Sequence, residues 1–182
     1  LEFPEVFFGF TDNNQRQIKQ KERVKEGSAG FDVVIGNPPY DVLAEKELGT
    51  NLEEILGYLN ALPVYQPACK GKQNLYKVFI CRGVQQLRQG GRIGLIVPMA
   101  LLGDDQSAGV RKMLLSTSIQ VIEAFPQKDD PKRRVFEDAK LSTCVFATKK
   151  SPEDTPFKAR VHPGKDIDLT SPVLCQPNWH IG

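Results

Sequence analysis

The tetrapeptide Asn37-Pro38-Pro39-Tyr40 combines residue types that can bind and activate a planar amine. The Asn37 side-chain oxygen and a nearby main-chain carbonyl can accept both hydrogens of such a group, while the prolines stiffen the loop that aims them. The Tyr40 ring can stack on a flat base. Two accepted hydrogen bonds draw the nitrogen toward a tetrahedral shape and localise its lone pair, so no histidine base is needed. These residues suit an exocyclic amine on a nucleobase.

The position of the tetrapeptide in the chain also suits a site. It follows "FDVVIG", residues 31–36, a short β-branched run bounded by glycine that is typical of a central strand buried on both faces. The two prolines end this strand because proline cannot donate to a ladder. Ligands of open α/β sheets bind beyond the carboxyl ends of the strands. A simpler interpretation stays open, in which the tetrapeptide is a rigid turn and Tyr40 packs in the core.

Strand and helix patterns alternate along the chain after the tetrapeptide. The predicted elements are a helix over 74–88 ended by Gly90-Gly91, a strand over 92–98, a helix through Val110 and Leu114 capped by Asp104 or Asp105, and strands over 119–125 and 141–148. This order predicts an α/β fold, a partial Rossmann-like sheet with flanking helices. We expect parallel strands in its centre and a hairpin-like last pair at one edge.

The composition is that of an ordinary globular domain. The chain has 182 residues, 40% of them hydrophobic, and a formal net charge of +2, which is too small to indicate a general nucleic-acid platform. No apolar stretch approaches the roughly 20 residues that span a membrane, and the amino terminus lacks the pattern of a signal peptide. We therefore expect a cytoplasmic protein. The sequence begins at Leu1 without a methionine, so we also expect a segment excised from a larger protein.

The cysteines do not indicate a metal site or a disulfide framework. Cys69, Cys81, Cys144 and Cys175 are scattered without a C-x-x-C pair, and neither histidine is near them in sequence. We expect reduced, mostly buried thiols and no metal.

The segment "FDVVIGNPPY" resembles motif IV of amino-group methyltransferases that use S-adenosylmethionine, particularly the adenine-N6 group. The resemblance continues in "LEFPEVF" before it, and after it in "NLYKVFICRGVQQLRQGGRIGLIVP" and "VFEDAKLSTCVFATKK". In order and spacing these segments are similar to gamma-class DNA adenine-N6 methyltransferases, including the modification domains of type II restriction-modification enzymes. The likeness covers roughly residues 1–150.

The resemblance implies a role for each matching residue. Asn37 would accept one N6 hydrogen through its side chain, Pro38 the other through its carbonyl, and Tyr40 would stack on the adenine. Pro39 would belong to the substrate-binding loop, with Phe136 in "VFEDAK" holding the base from its edge. The adenine must be flipped out of the duplex, since its N6 is otherwise paired and stacked. Phe79, in "NLYKVF", would line the pocket of the cofactor, S-adenosylmethionine.

Simpler interpretations of the same residues stay open. Phe79 can be a core residue of an amphipathic helix, and Phe136 can merely anchor a charged loop. Four basic residues of that loop can contact DNA phosphates or be solvated: Lys128, Lys132, Arg133 and Arg134.

The family's glycine-containing cofactor motif and its acidic cofactor ligands belong upstream of motif IV, and this sequence lacks them. We expect residues 1–150 to be the C-terminal part of the catalytic domain, and this segment alone to be inactive. Residues 151–182, rich in proline, are expected to be a linker toward a missing target-recognition domain. The expected partners are double-stranded DNA and the remaining domains of the parent protein.

The function that follows is methyl transfer from S-adenosylmethionine to a flipped adenine by a segment of a restriction-modification enzyme. Other acceptors, RNA adenine or a protein glutamine amide, would use the same chemistry, and a non-catalytic DNA-binding module would use none of it. A nuclease is a further alternative, because Asp138-Ala139-Lys140 forms an acidic-x-lysine pair with Asp129 and Asp130 upstream.

Overall fold

A six-stranded mixed sheet forms the framework of the part of the chain that the computed structural model describes, residues 29–43, 52–152, 155–168 and 172–175. The strands are β1 (Phe31–Gly36), β2 (Leu87–Pro98), β3 (Ser118–Phe125), β4 (Thr143–Lys149), β5 (Phe157–Val161) and β6 (Val173–Cys175). Their spatial order is β1-β2-β4-β3-β5-β6. The predicted α/β sheet with flanking helices is confirmed.

The helices precede and follow β2. They are α1 (Leu52–Ala61), a 3-10 helix (Pro63–Ala68), α2 (Leu75–Gln86), the short α3 (Ala100–Gly103), a second 3-10 helix (Asp105–Ser107) and α4 (Ala108–Leu115). The predicted Asp104 cap lies on the second 3-10 helix, where its carboxylate accepts the Gln106 N–H at 2.9 Å, and not on α4, whose N-cap Ser107 makes no side-chain cap bond. No helix among the described residues is long and apolar enough to cross a membrane.

The last predicted strand does not lie at an edge of the sheet. β1 pairs with β2 in parallel, whereas β4 lies between β2 and β3 and is antiparallel to both. Both edges of β4 are therefore hydrogen-bonded, and its Cys144 and Phe146 side chains are buried. The edge prediction is wrong because the crossover through α4 leaves a gap beside β2, which the returning strand fills.

Two strands lie within residues 151–182, where the prolines predict a linker. β5 pairs in parallel with β3, and β6 is antiparallel to β5. Pro156 and Pro163 stand immediately before and two residues after β5, so neither interrupts its ladder. Proline content alone does not distinguish a linker from a short strand flanked by prolines.

The Gly90-Gly91 pair lies within β2 and does not end a helix as predicted. α2 ends at Gln86, and Leu87 is already extended. The register of β1 against β2 shifts between Phe31 and Val33, which marks a bulge, and Gly90 has a φ of +74°. A Cβ at Gly91 would lie 2.7 Å from the Phe31 carbonyl oxygen, so the close approach of β1 requires glycine there.

The core lies between the helices and one face of the sheet. Ile93, Leu95 and Val97 of β2 are buried with Ile80 of α2 and Val110 of α4. On the opposite face of β1, Val33 and Ile35 are 61% and 84% exposed. The expectation that β1 is buried on both faces is not met in the described part of the chain, where β1 is the outermost strand.

Cys144 provides a test of the core through the pH dependence of stability. Burial raises the pKa of its thiol from 9.0 to about 12. The folded protein holds this proton more tightly than the unfolded chain, so the contribution to stability is complete below pH 9 and is lost as the pH rises toward 12. We expect Cys144→Ala to cost roughly 1 kcal/mol in urea unfolding at pH 7, with the difference from wild type narrowing above pH 9.

The matched control is Cys175→Ala, which removes a thiol from the short outer strand β6. A stability difference for Cys144→Ala that stays constant between pH 7 and 10.5 would contradict the assignment.

Candidate active site

The Asn37–Tyr40 loop leaves the carboxyl end of β1 and forms one wall of an open cleft. Pro38 is buried, whereas Asn37 and Pro39 are exposed. The cleft has a volume of about 670 Å³ and is lined by Asn37, Pro38, Pro39, Tyr40, Val135, Phe136, Glu137, Asp138 and Ala139. The structure thus brings five of the six predicted site residues to one place.

Tyr40 and Phe136 lie next to each other in the lining of this cleft. Their rings form a T-shaped pair with centroids 6.2 Å apart and an interplanar angle of 67°. The Tyr40 hydroxyl donates to the Ile96 carbonyl of β2 at 3.0 Å. Burial, with a smaller contribution from Cys144, raises the pKa of Tyr40 to about 12. The hydroxyl therefore stays protonated and keeps the ring fastened to β2.

The segment after Tyr40 is tied to the start of α2. The Leu75 N–H donates to the Asp41 carbonyl at 2.9 Å, and the Leu43 N–H donates to the Gln73 carbonyl at 2.8 Å. These two bonds fix the exit of the loop as firmly as β1 fixes its entry. Both ends of the tetrapeptide are thus held by backbone pairing.

Lys77 is a buried cation that the sequence analysis did not single out. Its side chain is 1% exposed, and its ammonium donates to the carbonyls of Lys72 (2.7 Å), Gln106 (3.2 Å) and Lys70 (3.3 Å). Burial lowers its pKa. Lys77 thus holds the loop before α2 in place, next to Gln73 and Leu75, which bond the segment after Tyr40. Its own bonds go to backbone carbonyls, which every residue has, so the sequence does not reveal this role.

The loop between β3 and β4, residues 126–142, carries Phe136, and we call it the Phe136 loop. Arg134 donates to the carbonyls of Lys128, at 3.2 Å, and Glu137. The Ser142 hydroxyl closes the base of the loop by donating to the Pro126 carbonyl at 2.8 Å. Arg134 thus shapes the loop, whereas the side chains of Lys128 and Lys132 project from exposed positions.

The acidic residues of the Phe136 loop do not assemble a nuclease centre within the described residues. Lys140 pairs with Asp129 at 3.0 Å, and both side chains are 69% exposed. The Asp130 carboxylate accepts the Lys132 N–H at 3.0 Å. No group of three or more histidine, cysteine, aspartate or glutamate residues in the described ranges could hold a metal ion.

Phe79 is the predicted site residue that does not line the cleft. Its side chain is 49% exposed, so the structure does not place it in the core. Gly83, one turn further along α2, packs against the sheet, where an added Cβ would lie 2.5 Å from Ile93 Cδ1 of β2 and 3.5 Å from Val34 Cγ1 of β1. Phe79 is therefore an exposed ring of α2 that lies outside the cleft.

Known proteins of restriction-modification systems resemble this chain in sequence. The type II methyltransferase M.TthHB8I of Thermus thermophilus is 37% identical over 92 residues, which is 49% of this chain and 21% of that protein. M.BanIII of Aneurinibacillus aneurinilyticus is 30% identical over 119 residues, 65% of this chain and 18% of that protein. The chain therefore spans about a fifth of the length of these curated relatives.

Solved structures share the fold at lower identity. The DrdV–DNA complex, solved by cryo-electron microscopy, matches 91% of this chain and 18% of its own with a TM-score of 0.58 and 17% identity. The methyltransferase subunit of a type I restriction-modification system from Streptococcus thermophilus matches 72% of this chain and 26% of its own, with a TM-score of 0.52 and 20% identity.

A family model assigns the chain more directly than these pairwise likenesses. The model of the Eco57I restriction-modification methylase matches residues 2–130, which include the Asn37–Tyr40 loop, α2 and β1 to β3. This match covers more than half of the chain. The chain belongs to the Eco57I restriction-modification methylase family.

Proposed function

We propose that this chain is the C-terminal part of the catalytic domain of a DNA adenine-N6 methyltransferase. The observation that carries the proposal is the cleft itself, in which Asn37 to Tyr40 meet Phe136 from a loop far away in sequence. An exposed amide, a fixed proline and two aromatic rings are the groups that binding a flipped adenine requires. The family assignment makes a restriction-modification enzyme the parent protein.

The two hydrogen-bond acceptors would act on the N6 amino group. Asn37 Oδ1 and the Pro38 carbonyl accept its two hydrogens, and Pro38 is buried, so its carbonyl is held in place. Tyr40 stacks on the base, and Phe136 holds the base from its edge. The rate enhancement comes from positioning the amine in line with the methyl donor and from acceptors aimed at the charge that develops on nitrogen.

S-adenosylmethionine supplies the methyl group when it is bound. Among the described residues, Phe79 fits one wall of its pocket, since a half-exposed aromatic ring can stack on the adenine of the cofactor. Val33 and Ile35 are exposed on β1, as expected if an upstream part of the domain packs there. We propose that this upstream part holds the remaining cofactor ligands.

The domain boundaries belong to the same proposal. Residues 1–150 form the C-terminal part of the catalytic domain, and β5 and β6, which follow residue 150, extend its sheet. A target-recognition domain would follow and would make the base-specific contacts with double-stranded DNA. This segment alone would then be inactive.

Replacing Asn37 tests the chemistry. We expect Asn37→Ala in the full-length protein to lower the methylation rate of duplex DNA by at least about 100-fold, because one acceptor on the developing charge is lost. DNA affinity should change by less than about twofold, since Asn37 makes no phosphate contact in this proposal. Transfer of a radiolabelled methyl group and a DNA-binding titration measure the two effects.

The matched control for Asn37 is Asn60→Ala, at an exposed position of α1. Equal methylation by wild type and Asn37→Ala would contradict the catalytic role. Transfer by wild type to RNA or to a protein glutamine, but not to DNA, would reassign the substrate.

Two substitutions of Tyr40 separate the contribution of its ring from that of its hydroxyl, which bonds the Ile96 carbonyl. Tyr40→Phe keeps the ring and loses the bond to Ile96, so we expect unfolding to become easier by about 1 kcal/mol while methylation stays within severalfold of wild type. Tyr40→Ala also loses the stacking surface, about 1 to 3 kcal/mol, and should weaken retention of the flipped base by roughly 5- to 150-fold. Urea unfolding and single-turnover methylation measure these effects.

The exposed Tyr58 of α1 offers the same pair of substitutions away from the cleft. If Tyr40→Phe lost as much activity as Tyr40→Ala, the hydroxyl would have a chemical role and stacking would not be the main contribution of Tyr40.

Calorimetric titration tests the proposed division of the cofactor site. We expect S-adenosylmethionine to bind a chain extended toward the amino terminus but not the 182-residue chain. Phe79→Ala in the extended chain should weaken binding by about tenfold through lost stacking, and Arg82→Ala, at an exposed position of the same helix, should not. Binding by the short chain would contradict the division, and binding by neither would favour a non-catalytic module.

A further inference from the structure

A buried polar cluster joins β3 to the end of β5. Glu123 of β3 lies between two basic side chains: its Oε1 accepts from Arg160 Nη1 at 2.6 Å, and its Oε2 lies 2.8 Å from His162 Nε2. Glu123 and Arg160 are 14% and 13% exposed, and His162 is 1% exposed. The backbone N–H of His162 also donates to the Ala124 carbonyl at 2.8 Å, which continues the pairing of β3 and β5 beyond the end of β5.

The hydrogen bonds of His162 define the state of its ring. Its Nδ1 accepts the Asp168 N–H at 3.2 Å, so the ring proton is on Nε2 and is donated to Glu123. The ring also stacks on Phe125, with centroids 4.7 Å apart and an interplanar angle of 22°. The buried His162 side chain thus connects the two ends of the turn formed by residues 162–168. We call this turn the brace.

The brace contacts the Phe136 loop at three points. Arg133 Nη2 donates to the Pro163 carbonyl at 3.1 Å. Lys165 Nζ lies 3.2 Å from Glu137 Oε1, next to Phe136 in sequence. Gly164 packs so closely that an added Cβ would lie 3.4 Å from the Arg133 carbonyl oxygen. The brace therefore touches the loop on both sides of Phe136 along the chain.

The Lys140–Asp129 ion pair within the Phe136 loop is too exposed to hold it, since both side chains are 69% exposed and such pairs contribute little to stability. The Lys165–Glu137 pair is exposed as well, at 45% and 69%. The contact of the brace with the loop therefore depends mainly on the Arg133–Pro163 bond and the close packing of Gly164. The cluster of Glu123, Arg160 and His162 is largely buried and hydrogen-bonded, so its geometry changes much less readily than that of the exposed ion pairs.

We infer that the brace positions the Phe136 loop over the cleft and that His162 is its positioning residue. The brace follows β5 and lies outside residues 2–130, which match the family model. The consequence for catalysis rests on the proposed function: Phe136 can close on a flipped base only if its loop is already in place. The alternative is a cluster that merely joins β3 to β5, in which case its loss would leave the loop unchanged.

Hydrogen exchange on the 182-residue chain distinguishes these two roles. His162→Phe keeps the stack on Phe125 but loses the bonds to Glu123 and Asp168. We expect exchange at residues 163–168 and at residues 130–139 to accelerate together by at least about tenfold, with β2 and β4 unaffected. Lys158→Ala, at an exposed position of β5, should change neither segment. Acceleration confined to 163–168 would overturn the inference.

A second variant covers the case in which His162→Phe does not fold. Arg133→Met removes the bond to Pro163 and leaves the buried cluster intact. Exchange at residues 134–139 should accelerate, whereas the neighbouring exposed substitution Lys132→Met should have no effect on exchange. Unchanged exchange in Arg133→Met would also count against the brace.

Base flipping in the full-length protein provides the functional readout. DNA with 2-aminopurine at the target position should fluoresce less when bound to His162→Phe, and kcat should fall as far as in Phe136→Ala. The double variant should be no worse than Phe136→Ala, and affinity for S-adenosylmethionine should be unchanged. Additive losses would overturn the inference. If the wild-type protein methylates no DNA, the proposed function fails and the exchange result alone decides the brace.

Discussion

The direction of the strands determines where the site can form. β1 and β2 are parallel, and β4 is antiparallel to both β2 and β3. The carboxyl ends of β1 and β3 therefore lie at the same end of the sheet. The Asn37–Tyr40 loop follows β1, and the Phe136 loop follows β3. The cleft arises because these two loops leave the same end of the sheet, although β2 and β4 lie between β1 and β3. β5 is parallel to β3, so His162, which directly follows β5, lies at the same end of the sheet.

Elements with a local signature were predictable from the sequence, whereas their order in the sheet was not. The β-branched run before Asn37 and the apolar period of α2 depend on neighbours a few residues away, and both elements are present. The insertion of β4 between β2 and β3 depends on pairing across the whole chain. β5 has the same difficulty, because the alternation of its five residues, FKARV, is too short to outweigh the prolines that flank it.

The two walls of the cleft differ in the same way. Asn37, Pro38 and Tyr40 became candidates through their residue types, since an amide, two prolines and an aromatic ring together can bind a planar amine. Phe136 became a candidate only through the family resemblance, because a charged loop has no period that could place one ring. The loop takes its shape from Arg134, which donates to two backbone carbonyls. Lys77 holds the opposite wall by the same kind of contact.

The two halves of the proposed reaction site have different physical foundations. The substrate cleft is held by contacts among described residues: Tyr40 on β2, the paired exit of its loop, and the Phe136 loop. Phe79, in contrast, is half exposed on α2, and Val33 and Ile35 are exposed on β1, an edge strand of the described sheet. An exposed apolar strand at a sheet edge is a liability unless something covers it. In the proposed function, the base-binding wall is therefore formed by described residues, whereas the cofactor wall would need residues beyond them.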